Sequence, residues 1–178
     1  MNYTIQTQRL GLRNWKKEDL EAMTAINQDS KVMQFFPNMP DRAATKAYIK
    51  RMQTQFAKSQ YCYFAAEVLA TKEFIGFIGI MYQDYEAAFT PCVDIGWRLK
   101  QTAWGKGYAT EGAKACLEYA FNQLKIPKIY SVAPLINQPS IAVMKKIGMH
   151  QVSTFNHPAL KQFPTLETCA LYLIENKV

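Results

Sequence analysis

Between Tyr61 and Leu124 the hydrophobic pattern changes period once, and that change limits the folds open to the chain. Three strand-like runs come first: Tyr61–Leu69, Glu73–Tyr82 and Cys92–Leu99. Thr71-Lys72 links the first two tightly, and Asp84–Pro91 makes a longer link to the third. Consecutive strands with links this short form an antiparallel meander, because a parallel crossover takes a dozen residues or more. The pattern then becomes helical. From Tyr108 to Leu124 the apolar positions are Ala109, Ala113, Cys116, Leu117, Ala120, Phe121 and Leu124, one face at period 3.6. Burying Leu117, Phe121 and Leu124 is worth about 1.5–3 kcal/mol each.

The flanks complete the order of elements. Thr4–Leu12 alternates as a first strand with Leu10 and Leu12 on one face, and Lys17–Asn27 reads as a helix with Leu20, Met23 and Ile26 inward. Phe35–Pro40 is an apolar loop, since prolines at 37 and 40 stop any helix. Asp41 caps a helix to about Ser59, with Ala44, Tyr48, Met52 and Phe56 inward and a basic stripe of Arg42, Lys46 and Lys50 roughly opposite. Lys128–Ala133 is a short strand. Asn137–Ile147 is a short helix, capped by Asn137, with Pro139 in its first turn and Gly148 at its end. Gln151–Asn156 and Thr165–Ile174 close the chain as a hairpin. The order β, α, α, βββ, α, β, α, ββ gives a mixed α/β (α+β) sheet, not a regular doubly wound one. With no linker and no repeat, residues 1–178 are expected to form a single domain.

Composition removes several functional classes. Ten Phe, ten Tyr and three Trp are too many for a disordered chain, and 8 Gly with 8 Pro are too few for a collagen-like one. The apolar runs are far shorter than the roughly 20 residues of a bilayer span, so no membrane partner is expected. The opening residues lack the apolar core of a secretory signal, and Cys62, Cys92, Cys116 and Cys169 show no paired or metal-binding spacing. The chain reads as soluble and cytoplasmic, with buried reduced thiols and no metal. Its 21 Lys+Arg against 14 Asp+Glu, a net charge of +7, leaves open nucleic acid, an acidic protein surface or a phosphorylated small molecule. Nucleic acid is disfavoured, because the basic stripe carries no aromatics on its own face.

The stretch from Asp94 to Glu111 carries the chemistry. A strand ends, a loop containing Gly105 and Gly107 turns, and the long helix begins. The glycines free the backbone to expose consecutive N–H groups, and the helix start adds unpaired donors and a positive dipole end, so the segment suits a phosphate or pyrophosphate. Ala109, Gly112 and Ala113 are small enough for a ligand and the sheet to approach closely. Thr110 stands where G-x-G-x-x-G needs its third glycine, and G-x-x-x-x-G-K-[ST] is not met either. Taken alone, the loop also reads as a plain glycine turn.

A second constellation follows in Asn137-Gln138-Pro139-Ser140 and Val143-Met144-Lys145-Lys146-Ile147-Gly148. A strand, then Trp104-Gly105-Lys106-Gly107-Tyr108-Ala109-Thr110-Glu111, a helix, a strand and this second motif resemble the GNAT superfamily of acetyl-CoA-dependent N-acetyltransferases. The opening Thr7-Gln8-Arg9-Leu10-Gly11-Leu12-Arg13, and His157-Pro158 with Leu171-Tyr172 near the end, resemble its RimJ/RimL-like branch, which acetylates ribosomal-protein N-termini. The resemblance spans nearly the whole chain. It implies the three-layer GNAT acyl-CoA N-acyltransferase fold and acetyl-CoA as cosubstrate, without a metal.

By the same resemblance, the main chain of Trp97, Arg98 and Leu99 pairs with the pantetheine arm like an added strand. The amides from Trp104 through Gly105, Lys106, Gly107, Tyr108 and Ala109 to Thr110 hold the pyrophosphate. Asn137 hydrogen-bonds the pantetheine, Ser140 lies near the thioester sulfur, and Lys146 reaches the cofactor or simply ends its helix as a cation. Two positions depart from the family pattern. Thr102 replaces a Gln or Arg before the glycines, and Met144 replaces a tyrosine that protonates the leaving thiolate, which leaves Ser140 as the donor. The reaction is direct acetyl transfer to an amine, with backbone N–H groups of the Asp94–Leu99 strand polarising the carbonyl. Asp94 is the candidate base, provided that burial raises it or that it acts through water; His157 is the rival. The expected acceptor is a primary amine, first a protein or peptide N-terminal α-amine. A small-molecule amine (polyamine, antibiotic or amino acid) and a non-catalytic acyl-CoA-binding module are the alternatives. Monomer and homodimer are both open.

Overall fold

The computed structural model describes residues 2–176 and contains eight strands in one mixed sheet. They are β1 (Ile5–Gln6), β2 (Leu10–Arg13), β3 (Tyr63–Val68), β4 (Glu73–Gln83), β5 (Cys92–Leu99), β6 (Lys128–Pro134), β7 (His150–Asn156) and β8 (Thr168–Glu175). Their spatial order is β1-β2-β3-β4-β5-β6-β8-β7. The expected meander is present: β3–β4 and β4–β5 are antiparallel. The one parallel pair is β5–β6, where the long helix makes the crossover.

The helices are α1 (Asp19–Asn27), α2 (Ser30–Met33), α3 (Arg42–Ser59), α4 (Tyr108–Asn122), α5 (Gln138–Lys146) and α6 (Pro164–Glu167). Strand alternation decides which helix covers which face. Phe77 of β4 lies 5.7 Å, ring to ring, from Tyr48 of α3. Its neighbour Ile78 points the other way, against Gly112 of α4, where a β-carbon would press on the Ile78 side chain. The sheet is thus the middle of three layers, with α1 and α3 on one face and α4 on the other. Leu10, Phe64, Ile80, Ile95 and Ile129 are buried in the core between them.

Four local expectations are corrected. Thr4–Leu12 is a hairpin and not one strand: Ile5 pairs with Leu12, and the Thr7 hydroxyl oxygen accepts the Leu10 amide at 2.9 Å to close the turn. On α3, Met52 is buried and Tyr48 and Phe56 pack on the core as expected, but Ala44 is exposed and Thr45 and Ile49 are buried instead, with the Asn27 side chain donating to the Thr45 hydroxyl at 2.9 Å. Thr165–Glu167 belongs to α6, which Pro164 begins, so β8 starts only at Thr168. A further turn of helix, α2, precedes the apolar loop and is capped by Asp29, whose carboxylate accepts from the Lys31 and Val32 amides.

One buried ionic cluster ties the first strands to the first helix. Arg13 donates from Nε to Glu67 at 2.6 Å and from Nη1 and Nη2 to Asp19 at 2.8 and 2.7 Å, and all three residues are buried. The Asp19 carboxylate also accepts the Lys16 amide, and Glu67 accepts the Tyr3 hydroxyl. The fork geometry of a guanidinium satisfies both acids at once. Removing it strands two buried carboxylates, so Arg13→Met is expected to lower stability by about 3–5 kcal/mol in chemical denaturation.

Candidate active site

The parallel contact between β5 and β6 is short. Asp94 pairs with Tyr130, and the Ser131 hydroxyl donates to the Ile95 carbonyl at 2.9 Å. From Gly96 onward β5 keeps its antiparallel partner β4, with Trp97 opposite Ile78 and Leu99 opposite Gly76, but has no ladder on its other edge. There Trp97 and Arg98 of β5 and Ala133 of β6 line a common space.

That space holds two cavities of about 400 Å³ each. The first contains Asp94 and is walled by Tyr48 and Arg51 of α3, Tyr63 of β3 and Phe77 of β4. The second contains the glycine loop and the start of α4, with Leu99, Val143 and Lys146 around it. They share Phe35, Phe36, Trp97, Arg98, Asn137 and Ser140, so they meet at those residues. The apolar loop after α2 therefore covers the junction.

At the second cavity the backbone is preorganised. Gly105 and Gly107 have φ of 71° and 79°, a left-handed conformation that other residues adopt at a cost. Gly107 is the N-cap of α4 and brings no side-chain cap. The amides of Tyr108, Ala109 and Thr110 precede any intrahelical acceptor, as in every helix start. A distant tether fixes the loop. Thr7 Oγ1 and Arg9 Nε donate to the Glu111 carboxylate at 2.6 Å each, and Arg9 Nη1 donates to the Lys106 carbonyl at 2.9 Å. Burial pushes Glu111 up, but the Thr7 and Arg9 bonds prevail and hold its carboxyl below the ordinary range. Arg9 also lies over the Tyr108 ring, 4.8 Å from its centroid.

At the first cavity Asp94 accepts the Tyr63 hydroxyl at 2.6 Å and the Gln83 amide at 3.1 Å. Gln83 also donates to the Tyr63 oxygen at 3.1 Å, so the three form a closed network. Burial raises the Asp94 carboxyl to about 6, although the bonds from Tyr63 and Gln83 and the charge of Arg51 pull it down. Arg98 lies between rings, 4.1 Å from Phe36 and 5.5 Å from Phe77, and donates from Nη1 to Asn27 at 2.7 Å. Its Nε and the Tyr48 hydroxyl are buried without a partner.

The site residues expected from sequence mostly converge. Asp94, Asn137 and Ser140 line the first cavity, and Leu99, Gly105, Gly107, Tyr108, Ala109, Thr110 and Lys146 line the second. The Asn137 side-chain oxygen accepts the Ser140 amide at 3.2 Å and so fixes Ser140 at the junction. Trp104 lines the second cavity, but its main-chain N–H donates to the Gln101 carbonyl and its indole N–H to the Leu99 carbonyl. Lys106 is not among the lining residues; its main chain serves the tether. His157 lies outside both cavities. It stacks on Tyr85 at 4.6 Å and accepts the Ala159 amide, capping a short turn.

Sequence reading missed Tyr63 and Gln83 around Asp94, and Tyr48, Arg51 and Asn27 in the cavity wall. Alternation carried part of the signal, because Tyr63 stands opposite Gly79, next to the strand that holds Asp94. Glu111 stood inside the quoted glycine motif and Arg9 inside the opening motif, yet only the fold joins them. The four cysteines are buried and free, as expected of reduced thiols.

Residues 9–150 match the family model for an acetyltransferase (GNAT) domain. The chain is similar to YkkB of Bacillus subtilis (strain 168), 32% identical over 84% of this chain and 87% of YkkB. It is also similar to the N-acetyltransferase YnaD of the same organism, 31% identical over 85% of each chain. Among solved structures, a GNAT-family acetyltransferase from Bacillus anthracis superposes with a TM-score of 0.77 at 27% identity, covering 96% of this chain and 97% of that one.

The tether generates a test that needs no ligand. Glu111→Ala removes charge-assisted bonds worth about 1.5–3 kcal/mol each. Hydrogen exchange at the amides of Gly105–Gly107 is expected to quicken by about tenfold or more, with the core strands unaffected.

Proposed function

The chain belongs to the GNAT acetyltransferase family, and from that premise we propose that it transfers acetyl directly to an α-amine, with both reactants in the two joined cavities. It is an acetyl-CoA-dependent N-acetyltransferase. The observation that carries the fuller reading is the meeting of the cavities at Asn137 and Ser140, with Asp94 on one side and the loop amides on the other. Within the acceptor class, the motif from Thr7 to Arg13 favours a protein or peptide N-terminus. A small-molecule amine is the second reading, favoured by the modest volume of the first cavity.

The residues present suit the cofactor. The unladdered edge of β5 from Trp97 to Leu99 offers main-chain donors and acceptors to an amide-bearing arm, by the same β-augmentation that proteins use for peptides. The loop and first-turn amides offer donors to phosphate oxygens, with Lys31 and Lys146 on the same wall. Asn137 Nδ2, which has no acceptor among the described residues, remains for the ligand. When bound, acetyl-CoA supplies the acyl group activated as a thioester.

The chain's own groups supply the rest. Asp94 takes the proton of the attacking amine, directly or through water, and holds it on a carboxylate whose raised value suits a base near neutrality. Tyr63 and Gln83 keep that carboxylate aimed. Ser140 Oγ, at the junction, gives a proton to the departing sulfur, a role that Met144 cannot take. The joined cavities bring the two reactants together.

Calorimetric titration with acetyl-CoA is expected to give one saturable site, abolished in Gly107→Glu by a carboxylate set against the phosphates. Ser140→Ala is expected to lower kcat by about a hundredfold. Because the base must be ionised, kcat/KM is expected to rise with pH through about 6, and Asp94→Asn removes that limb. The stability sign is opposite. A carboxyl raised in the folded state favours folding at low pH and loses that contribution as pH rises through about 6.

A further inference from the structure

The first cavity has an electrostatic imbalance that transfer to a simple amine does not use. Arg51 and Arg98 both line it, and among the described residues neither forms an ion pair. Arg98 is largely desolvated between Phe36 and Phe77, and its one protein partner is the neutral side-chain oxygen of Asn27. A guanidinium withdrawn from water without an anion is costly unless something completes it. Its Nε and the neighbouring Tyr48 hydroxyl are also without acceptors. Asp94, the one carboxylate in the cavity wall, is engaged by Tyr63 and Gln83 instead. Asp94 and Arg98 lie four residues apart on the same face of β5, and Arg51, whose charge is felt at Asp94, lines the same cavity, so the acid and both cations border one space.

Resting on the proposed transfer to an α-amine, we infer that the acceptor is an amine that also carries a carboxylate. The amine is directed to Asp94, and the carboxylate is held by Arg98 and Arg51. The aromatic walls from Phe36, Tyr48 and Phe77 are available to cover the rest of its carbon skeleton. Two sources share this chemistry: a free α-amino acid, and a peptide whose first residue is Asp or Glu. A polyamine does not, since its second cation would face two arginines.

The test compares matched pairs that differ only in that charge. Coenzyme A thiol release is measured for free phenylalanine against phenylalaninamide and glutamate against glutamate diamide. It is also measured for C-terminally amidated peptides beginning with Glu against the same peptides beginning with Gln, with spermidine alongside. The carboxylate member of at least one pair is expected to have a kcat/KM at least about tenfold higher, mainly through KM, as befits a charged hydrogen bond. Which pair responds separates the free amino acid from the peptide. In Arg98→Met and in Arg51→Met that ratio is expected to collapse toward one, and in Arg51→Met, whose side chain does not line the second cavity, acetyl-CoA titrates as before. Arg51 is exposed, so its variant keeps the test open even where Arg98→Met folds poorly. Amides used as well as acids, a ratio unmoved by both arginine variants, or spermidine used in preference would each overturn the inference. So would idle acids with acetyl-CoA still bound. Failure of acetyl-CoA to bind would instead overturn the reading on which the inference rests.

Discussion

The molecule's capacity to hold anything depends on where β5 stops pairing with β6. A strand inside a sheet normally has both edges spent on ladders, and buried backbone groups without partners are costly. Here one ladder pair, Asp94 with Tyr130, and the Ser131 bond to Ile95 end the contact. The other edge remains in register with β4 from Cys92 to Leu99, so β5 is held straight while its free edge faces the cavities. Gly79 of β4 supports this by letting β3 approach closely: a β-carbon there would lie 2.7 Å from the Tyr63 α-carbon. The strand that presents Asp94, Trp97 and Arg98 is thus supported by pairing and packing on the side away from the cavities.

Electrostatics divides along the same line. The net charge of +7 is a poor guide to it, since the count includes Arg13, locked between two buried acids, and Arg9, engaged with Glu111. The donors best placed for phosphate are main-chain amides, which carry no formal charge and never enter such a count. Among the cavity-lining cations of the described residues none is ion-paired: Arg51 lines the first cavity, Lys31 and Lys146 the second, and Arg98 both.

The periodicities at residues 61–124 made the meander, the long helix and the glycine loop between them legible, because each obeys a local rule of spacing. Asn137 as a cap followed from equally local chemistry, whereas the raised carboxyl of Asp94 was only a condition in the sequence and depends on its burial in the fold. What escaped was set by distance in sequence. The turn at Thr7 and the burial of Thr45 on α3 involve partners such as Asn27 that no spacing reveals. The opening motif from Thr7 to Arg13 was readable as a resemblance, but its residues serve the scaffold: Thr7 and Arg9 brace the loop, and Arg13 joins β2 to α1 and β3. None of the three lines the first cavity. The proposed carboxylate of the acceptor rests on Arg98 and Arg51, whose environment exists only once β5, α3 and the Phe35–Pro40 loop come together.

Trp104 has a consequence of its own. Its ring is 43% exposed at the rim of the second cavity, while its indole N–H is anchored to the Leu99 carbonyl at the end of the free strand edge. Trp15 is sealed in the core. Of the other two indoles, Trp97 lines both cavities and Trp104 is the one exposed beside the second. Occupation of that cavity would strip solvent from this ring and shift its emission, so the protein carries a built-in optical gauge of its own filling, read without label or coupled reaction.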